Sequence, residues 1–288
     1  MLSDDNGKNW RQAPTPVSVT LTGVHFPSKT HGWAVGHGGV ILASTDGGET
    51  WTKQFDGRKA AEIEFTAAKA SQAEHRLAEA ERLIGDGPDK PFLDVHFMNE
   101  KDGLAVGAYG LAFATSDGGA SWRSIMGKIN NPTSKHLVSI LTNERGIYLA
   151  GEQGLFFHST DGGASFAEIP SPTRGTFFGM VGTSAGDVVV FGLRGNAYLR
   201  LQTGEWKKIA ISGASLVAGQ RLTDNSVVLI DEFGSVLRSI DGGHTFAVVV
   251  GPQAMSLASL VQAPDGTLVG AGGRGNLRLT IALDKRSN

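Results

Sequence analysis

Residues 32–51 read GWAVGHGGVILASTDGGETW. Two short apolar segments, at 32–36 and 40–44, flank a tight glycine-containing turn, which is typical of a β-hairpin. The octapeptide STDGGETW follows at 44–51. In such a turn the aspartate accepts hydrogen bonds from backbone N–H groups, glycine supplies a positive φ angle, and the aromatic residue packs between sheets. The stretch therefore predicts two antiparallel strands, a structural turn and the start of a third strand.

The octapeptide recurs along the chain with the consensus S/T-x-D-x-G-x-S/T/N-W/F. Its copies lie at 3–10, 44–51, 115–122, 159–166 and 239–246, with the aspartates Asp5, Asp46, Asp117, Asp161 and Asp241. These aspartates are separated by 41, 71, 44 and 80 residues, and a degenerate copy, RLQTGEW, divides the last gap at 200–206. A period near 41 with four strands is that of a β-propeller blade. We assign the aspartates a structural role, because each turn offers one carboxylate to a calcium ion.

The repeat predicts an all-β fold, a β-propeller of four-stranded antiparallel blades forming a single domain over residues 1–288. Five complete sets of strands end at the second to fifth boxes and the degenerate copy. Residues 256–283 supply three further strands, which residues 10–13 would complete, because a propeller closes by joining its two ends. This arrangement gives six blades. A preceding segment of about 35–40 residues, carrying three strands, would give seven.

Residues 56–91 interrupt the repeat between two blades. The segment 58–84 has no glycine or proline and is rich in good helix formers, so we expect a helical insertion. Ile63, Ala70, Leu77 and Ile84 form an apolar stripe along it. One straight helix would be about 40 Å long. Because the chain must return to the next blade, we expect the helix to lie across the loop face or to break near residues 70–71. The stripe can pack on the propeller or dock a partner.

The composition limits the classes of function. The 288 residues have a net charge of only −2, so nucleic acid is not expected as a partner. There are no cysteines, which excludes disulfides and thiol nucleophiles. The sequence contains no apolar run long enough for membrane insertion, and its first residues do not have the pattern of a signal peptide.

The boxes together with residues 32–51 resemble the photosystem II stability/assembly factor-like family of BNR (Asp-box) repeat β-propellers. The resemblance implies seven blades, an extracytoplasmic, periplasmic location, and a non-enzymatic scaffold or assembly factor without a cofactor. It implies a protein partner, with a membrane protein complex as a candidate, but it does not imply photosynthesis. Asp-boxes also occur in sialidases and other glycoside hydrolases, so a carbohydrate-active hydrolase is the alternative.

Candidate binding residues lie in the turns between the second and third strands of each blade, and in the connections between blades. Both sets belong to one face of a propeller, where a rigid scaffold holds loops in place. Arginines converging there can bind a carboxylate or phosphate through paired hydrogen bonds. The candidates for partner binding are Arg174, Arg194, Arg274, Tyr109, Glu152 and His37.

The hydrolase alternative would use some of the same residues. Tyr109, Glu152 and Arg194 include the residue types of a sialidase site, although the usual arginine motif before the first box is absent. Glu152 and Glu232 are the pair available to an ordinary glycosidase. We assign no catalytic residues on this basis.

A metal site is a further alternative. His25 and His96 occupy equivalent positions in innermost strands, beside Asp94, and such a pair can bind a metal. We expect solvated residues of a central channel instead, and therefore no metal site.

Overall fold

The computed structural model describes residues 1–211 and 213–281 and contains six antiparallel β-sheets. Sheet 1 comprises β1 (Leu21–His25), β2 (Gly32–Gly36), β3 (Ile41–Ser44) and β4 (Thr52–Phe55). Sheet 2 comprises β5 (Phe92–Phe97), β6 (Gly103–Gly107), β7 (Ala112–Thr115) and β8 (Arg123–Ser124). Sheet 3 comprises β9 (Leu137–Asn143), β10 (Gly146–Gly151), β11 (Phe156–Ser159) and β12 (Ala167–Glu168).

The remaining sheets follow the same order along the chain. Sheet 4 comprises β13 (Phe177–Gly182), β14 (Val188–Gly192), β15 (Ala197–Arg200) and β16 (Trp206–Lys208). Sheet 5 comprises β17 (Leu216–Arg221), β18 (Val227–Asp231), β19 (Val236–Ser239) and β20 (Ala247–Val250). Sheet 6 has three strands in the described part of the chain, β21 (Ser259–Gln262), β22 (Leu268–Gly272) and β23 (Gly275–Leu279). The all-β architecture of six propeller sheets is as the repeat predicts, and residues 282 and 283 of the predicted C-terminal strands lie outside the described residues.

The Asp-box turns join the third and fourth strands through a repeated set of hydrogen bonds. Asp46 accepts bonds from the backbone N–H of Thr50 at 3.0 Å and from the hydroxyl groups of Thr50 and Ser44 at 2.6 and 2.7 Å. Ser44 Oγ in turn accepts the buried N–H of Gly48 at 2.8 Å. These bonds, led by the one from the Thr50 hydroxyl, lower the pKa of Asp46 to about 2. The carboxylate is therefore ionised and used within its own turn.

Among the described residues the hydrophobic core is divided into five clusters, one between each pair of consecutive sheets from sheet 1 to sheet 6. The cluster between sheets 1 and 2 is rich in aromatic residues. In it the rings of Trp33 and Phe97 stack 3.5 Å apart, and Phe55 and Phe92 lie beside them with centroids 6.2 Å apart. Each sheet thus buries its apolar faces against its neighbours, as expected for a blade.

The junction between sheets 6 and 1 is different. A cavity of about 730 Å³ lies there, lined by residues of β1, β21 and the N-terminal segment. The N-terminal box packs closely against sheet 6. A methyl group added to Gly7 would lie only 3.0 Å from Val269 Cγ2 of sheet 6. In the same way, one added to Gly243 of the fifth box would lie 2.5 Å from Val189 Cγ2 of sheet 4. The first box therefore contacts sheet 6 as the fifth box contacts sheet 4.

The predicted closure of the ring by residues 10–13 is wrong. Arg11 pairs with Leu2 through backbone hydrogen bonds of 2.8 and 2.9 Å, as Thr52 pairs with Ala43 at the second box. The N-terminal segment therefore forms a small hairpin of its own beside sheet 6 and does not supply that sheet's fourth strand. A box is a hairpin turn, so its last strand pairs most readily with the strand just before it.

Two helices connect β4 to β5: α1 (Gly57–Ser71) and α2 (Glu74–Asp86). Asp56 caps α1 by accepting hydrogen bonds from the N–H groups of Arg58 and Lys59. The chain reverses at Gln72, whose φ of 56° ends α1. The insertion therefore takes the second predicted form, a break close to residue 71 that gives two packed helices.

The predicted apolar stripe is only partly correct. Ile63 packs against the core between sheets 1 and 2, but Ala70 is exposed and Ile84 is 47% exposed. The turn at Gln72 resets the helical phase, so a stripe drawn through both helices cannot face one side. The buried residues of the helices are instead Gly57, Ala60, Ala61, Glu64, Ala68 and Ala80.

Candidate protein-binding face

One face of the propeller carries the turns between second and third strands together with the connections between sheets, and we name it the loop face. In sheets 1 to 5 a glycine or aspartate ends the second strand, and the turn follows it. The turns of the first four sheets are His37–Gly39, Ala108–Gly110, Glu152–Gly154 and Leu193–Gly195, and in each the last two residues have positive φ angles. Because these turns share one backbone geometry, side chains at their middle position are presented alike.

The middle position of these turns is left-handed. In sheet 1 it is Gly38, with φ 71°, whereas in sheets 2, 3 and 4 it is Tyr109, Gln153 and Arg194, with φ of 55°, 55° and 54°. A residue other than glycine in this conformation costs about 1–2 kcal/mol. All three side chains are exposed. Three consecutive sheets therefore place strained, exposed side chains on the loop face.

Tyr109, His136 and Glu152 form a connected group. The N–H of Tyr109 donates to His136 Nδ1 at 3.1 Å, and the N–H of His136 donates to Glu152 Oε2 at 3.1 Å. The rings of Tyr109 and His136 lie 5.1 Å apart, and Lys90 Nζ lies 5.2 Å from the centre of the tyrosine ring. The structure thus brings together Tyr109 and Glu152, two of the candidates from the sequence, through a connection between sheets.

The three candidate arginines are all exposed on the loop face. Arg174 lies in the connection between sheets 3 and 4. This connection packs against the turn of sheet 3, because a methyl group added to Gly154 would lie only 2.1 Å from the carbonyl oxygen of the neighbouring Thr173. Arg194 is in the turn of sheet 4, with its N–H bonded to Ser215 Oγ. Arg274 lies two sheets further on, between β22 and β23. None of them forms an ion pair within the described residues.

His37, the remaining candidate, is exposed in the turn of sheet 1, and its backbone N–H donates to Thr20 O at 3.0 Å. Sheets 2, 3 and 4 are consecutive, so Tyr109, Glu152, Arg174 and Arg194 share one continuous arc of the loop face. His37 and Arg274 belong to sheets 1 and 6, on either side of the open junction. The candidates therefore divide into one continuous set and two separate residues.

A groove runs along this arc beside the helical insertion. A cavity of about 260 Å³ lies under α2, with apolar lining that includes Ala80, Leu83, Met126 and Ile129. A second cavity, of about 600 Å³, extends from α2 to the turn of sheet 3 and is lined by Lys135, His136, Glu152 and Gln153 among others. The two share the lining residues Glu79, Arg82, Tyr109, Pro132 and Ser134. They form one continuous groove, apolar at one end and polar at the other.

The wall of the groove is fixed by a buried ion pair. Arg76 of α2 donates to both oxygens of Glu64 of α1, at 2.8 and 2.9 Å, and Glu64 is only 2% exposed. Ser124 of β8 also donates to Glu64. A bidentate, buried pair of this kind has a defined geometry, so α2 is held in one position against sheet 2.

The carboxylates of the predicted glycosidase pair have structural partners. Glu152 accepts the backbone N–H of His136, as described above, and Glu232 accepts that of Ser215 at 2.8 Å. His136 and Ser215 each come directly before the first strand of a sheet. The two glutamates therefore anchor equivalent connections between sheets.

His25, His96 and Asp94 link the innermost strands. His25 Nδ1 accepts the N–H of Phe97 at 3.1 Å, Asp94 accepts the N–H of Ile140 at 2.7 Å, and His96 Nε2 lies 2.7 Å from Thr142 Oγ1. Burial raises the pKa of Asp94 to about 7, and burial together with the charge of His25 lowers the pKa of His96 to about 4. Simple solvation is therefore the wrong description, because these side chains join sheets 1, 2 and 3.

In the described ranges, no group of three or more histidine, aspartate or glutamate residues is placed to hold a metal ion. No helix within residues 1–211 and 213–281 is long and apolar enough to cross a membrane.

Several residues of the groove were not identified from the sequence. Glu79, Arg82 and Lys90 lie in the insertion, and the repeat has no counterpart for them. Asn131, which holds the connection before sheet 3 by bonds to the backbone of Lys135, lies outside the repeating strands as well. The sequence contained one indication that the insertion lines the groove. Because of its length, the insertion has to return across the loop face to reach the next blade.

The fold is a β-propeller whose loop face carries repeated turns and one helical wall. The sequence matches the family described as photosynthesis system II assembly factor YCF48 over residues 2–84 and 82–175. This match covers more than half of the chain, and the chain belongs to that family.

Individual proteins agree with the family match. The chain is 26% identical over 126 residues to the photosystem II assembly lipoprotein Ycf48 of Synechococcus sp. (strain CC9902), a match covering 42% of this chain and 29% of that protein. The chain spans less than a third of the length of the curated relatives it matches. The solved structure of YCF48 bound to D1 peptide superposes with a TM-score of 0.64 at 19% identity, covering 90% of this chain and 78% of that one.

The fold is also shared with enzymes. The GH74 enzyme of Niastella koreensis superposes with a TM-score of 0.60 at 16% identity, over 89% of this chain and 44% of that enzyme. At such identity the similarity shows the propeller fold alone, since one fold hosts many functions.

Proposed function

We propose that this protein is a non-enzymatic assembly factor that binds a protein partner through its loop face. The observation that carries the proposal is the exposure of Arg174, Arg194 and Arg274 on one face, none with an ion-pair partner in the described residues. Unpaired guanidinium groups on a rigid scaffold are suited to bind carboxylates of a partner. Membership of the assembly-factor family supports a protein as that partner.

The proposal includes a membrane protein complex as the source of the partner and a location outside the cytoplasm. A relative described as an assembly lipoprotein supports both points. The structural use of Glu152 and Glu232 supports a non-enzymatic role, because each carboxylate already accepts a backbone hydrogen bond.

The test is binding of a labelled D1 peptide, the ligand of the solved relative, measured by fluorescence anisotropy. The variant Arg174→Glu/Arg194→Glu/Arg274→Glu is expected to lose binding while its melting temperature stays within about 2 °C, as is usual for surface sites. The matched control, Arg123→Glu/Lys207→Glu/Lys208→Glu, makes the same charge change on exposed outer strands. Equal binding by both variants would contradict the proposal.

A further inference from the structure

We propose that the groove between α2 and sheets 2 and 3 seats an extended peptide segment that carries an apolar side chain and, a few residues along, a carboxylate. This inference rests on the proposed protein-binding function and deepens it. It makes the insertion part of the binding site and names the chemistry of the segment that the site accepts.

The apolar end of the groove accommodates one large side chain. The cavity of about 260 Å³ under α2 has an apolar lining of Ala80, Leu83, Met126 and Ile129. Charged residues also line this cavity, and they are paired: Arg76 with Glu64, Arg82 with Glu79 and Asp86, and Lys90 with Asp86 and Asp89. They therefore do not demand a polar ligand. An aromatic or long aliphatic side chain would therefore find contacts there without leaving a buried charge unpaired.

The polar end of the groove offers a cation to a ligand. It holds carboxylates as well: Glu79 accepts the hydroxyl of Ser134 at 3.3 Å and lies 3.9 Å from Arg82, and Glu152 accepts the N–H of His136. Lys135 lines this end, and its ammonium group has no carboxylate partner in the described part of the chain. Arg174 and Arg194 continue the arc beyond it. A carboxylate on the bound segment would find cations that the protein itself leaves unpaired.

Tyr109 lies where the two cavities meet, and its backbone marks it as a binding residue. It adopts a φ of 55° where sheet 1 has Gly38, and its side chain is 44% exposed. Its ring, which contacts His136 and Lys90, is therefore still partly available to a ligand. Strain of this kind is typical of functional positions.

The extended form follows from the continuity of the groove. Five residues line both cavities, so a ligand that fills both must cross the ring of Tyr109 between α2 and residues 132–135. Gln153 lines the polar end and offers a side-chain amide to the backbone of such a segment.

The experiment is selection of a displayed library of random dodecapeptides against the whole protein, followed by affinity measurement of the enriched peptides. The expected consensus is an aromatic or aliphatic residue a few positions from aspartate or glutamate. Two variants test the site. Tyr109→Gly removes the ring and relieves the backbone, and Asn130→Trp places a bulky side chain at an exposed position lining the apolar cavity.

Both variants are expected to weaken binding by about tenfold or more, while Tyr109→Gly keeps or raises the melting temperature. Asn225→Gly is the matched control for strain, because Asn225 has a φ of 65° in a turn between the first and second strands of sheet 5, outside the groove. Lys207→Trp is the control for added bulk on an exposed strand. Neither control should change affinity.

The outcomes separate this inference from the proposed function. Three outcomes would each overturn the groove proposal. They are failure to enrich any peptide, a consensus without a carboxylate, and binding by the Tyr109→Gly and Asn130→Trp variants that equals binding by the unmodified protein. If the enriched peptides lose affinity for the triple arginine variant alone, loop-face binding stands and the groove is wrong. If both groove variants lose the selected peptides but the D1 peptide does not bind, the groove stands and the proposed partner is wrong.

Discussion

Sheets 1 and 2 begin with closely related strands, LTGVHF at 21–26 and FLDVHF at 92–97, yet the two strands are covered very differently. Leu21 and Phe92 occupy the same register position, opposite Gly36 and Gly107. Phe92 is fully buried, whereas Leu21 is 37% exposed. The valines three residues after Leu21 and Phe92 differ in the same way: Val95 is 2% exposed, whereas Val24 is 62% exposed.

The difference comes from the preceding sheet. Sheet 1 covers the first strand of sheet 2, and the residues equivalent to Phe92 in sheets 3, 4 and 5 are likewise fully buried, namely Leu137, Phe177 and Leu216. Sheet 1 instead faces the cavity of about 730 Å³, with the N-terminal hairpin at its side. An apolar inner strand is thus buried by its neighbour around the ring, and the five closed junctions and the open one should respond differently to substitution.

The largest expected effect is that of shortening a side chain at a closed junction. Phe92→Ala should lower the free energy of unfolding by about 3–5 kcal/mol, because it leaves a cavity among packed aromatic rings. Leu21→Ala, the equivalent change at the open junction, should cost about 1 kcal/mol or less. Denaturant unfolding measures both. Equal losses would show that the open junction is covered in solution, and would contradict the comparison.

Acidification is expected to act on every box alike, because each box aspartate is held ionised by its own turn; the degenerate copy in sheet 4 has no aspartate. Hydrogen bonds, with Asn9 or the box hydroxyls as donors, lower the pKa values of Asp5, Asp46, Asp117 and Asp241 to about 2. The stabilisation is present above the unfolded value near 3.8 and is lost as the pH falls towards 2.

Melting temperatures measured between pH 5 and pH 2.5 should therefore fall progressively through this range. The Asp46→Asn variant should show a shallower fall, since it has one such carboxylate fewer. A melting temperature that stays constant down to pH 2.5 would contradict this use of the boxes.

Much of the architecture was predictable because it repeats. The boxes and hairpins have a fixed spacing, so local turn chemistry determined the strands of each sheet without reference to distant contacts. The ends of the ring were not predictable in this way. Whether residues 10–13 pair with β23 or with Leu2 depends on which strand is near, and spacing alone contains no such information.

The candidate site was predictable to the same extent. Tyr109, Glu152 and Arg194 lie in turns that the repeat assigns to the loop face, and the structure places them there. The contribution of α2 depends on the turn at Gln72 and on the ion pair between Glu64 and Arg76, twelve residues apart. Neither a stripe drawn through one helix nor the repeat could specify these contacts.

A smaller effect is expected from the hydroxyl groups of the boxes. Ser159 is 1% exposed, and its Oγ accepts the buried N–H of Gly163 at 2.9 Å. Ser159→Ala leaves that N–H without a partner and should cost about 1–3 kcal/mol. Ser3 makes the same contact with Gly7 but is only partly buried, so water can replace it and Ser3→Ala should cost less. Thermal unfolding of the two variants tests the comparison, and a larger loss for Ser3→Ala would reverse it.

The smallest expected effect concerns Asp94, which joins sheet 2 to sheet 3 by accepting the N–H of Ile140. The equivalent position in sheet 1 is Gly23, so the open junction has no such carboxylate. Burial raises the pKa of Asp94 to about 7. A raised carboxyl pKa contributes stability below the unfolded value near 3.8, and this contribution is lost as the pH rises through 7.

Asp94→Asn removes this dependence while keeping an oxygen that accepts the N–H of Ile140. The free energy of unfolding of the variant, relative to the unmodified protein, should therefore rise by about 1 kcal/mol between pH 6 and pH 8. The nearby His25 and His96 have lowered pKa values and act in the opposite direction, but both proteins contain them and the difference removes their effect. Denaturant unfolding at the two pH values measures that difference. A constant or falling difference would mean that Asp94 is ionised throughout this range, and that its bond to sheet 3 is that of an ordinary exposed carboxylate.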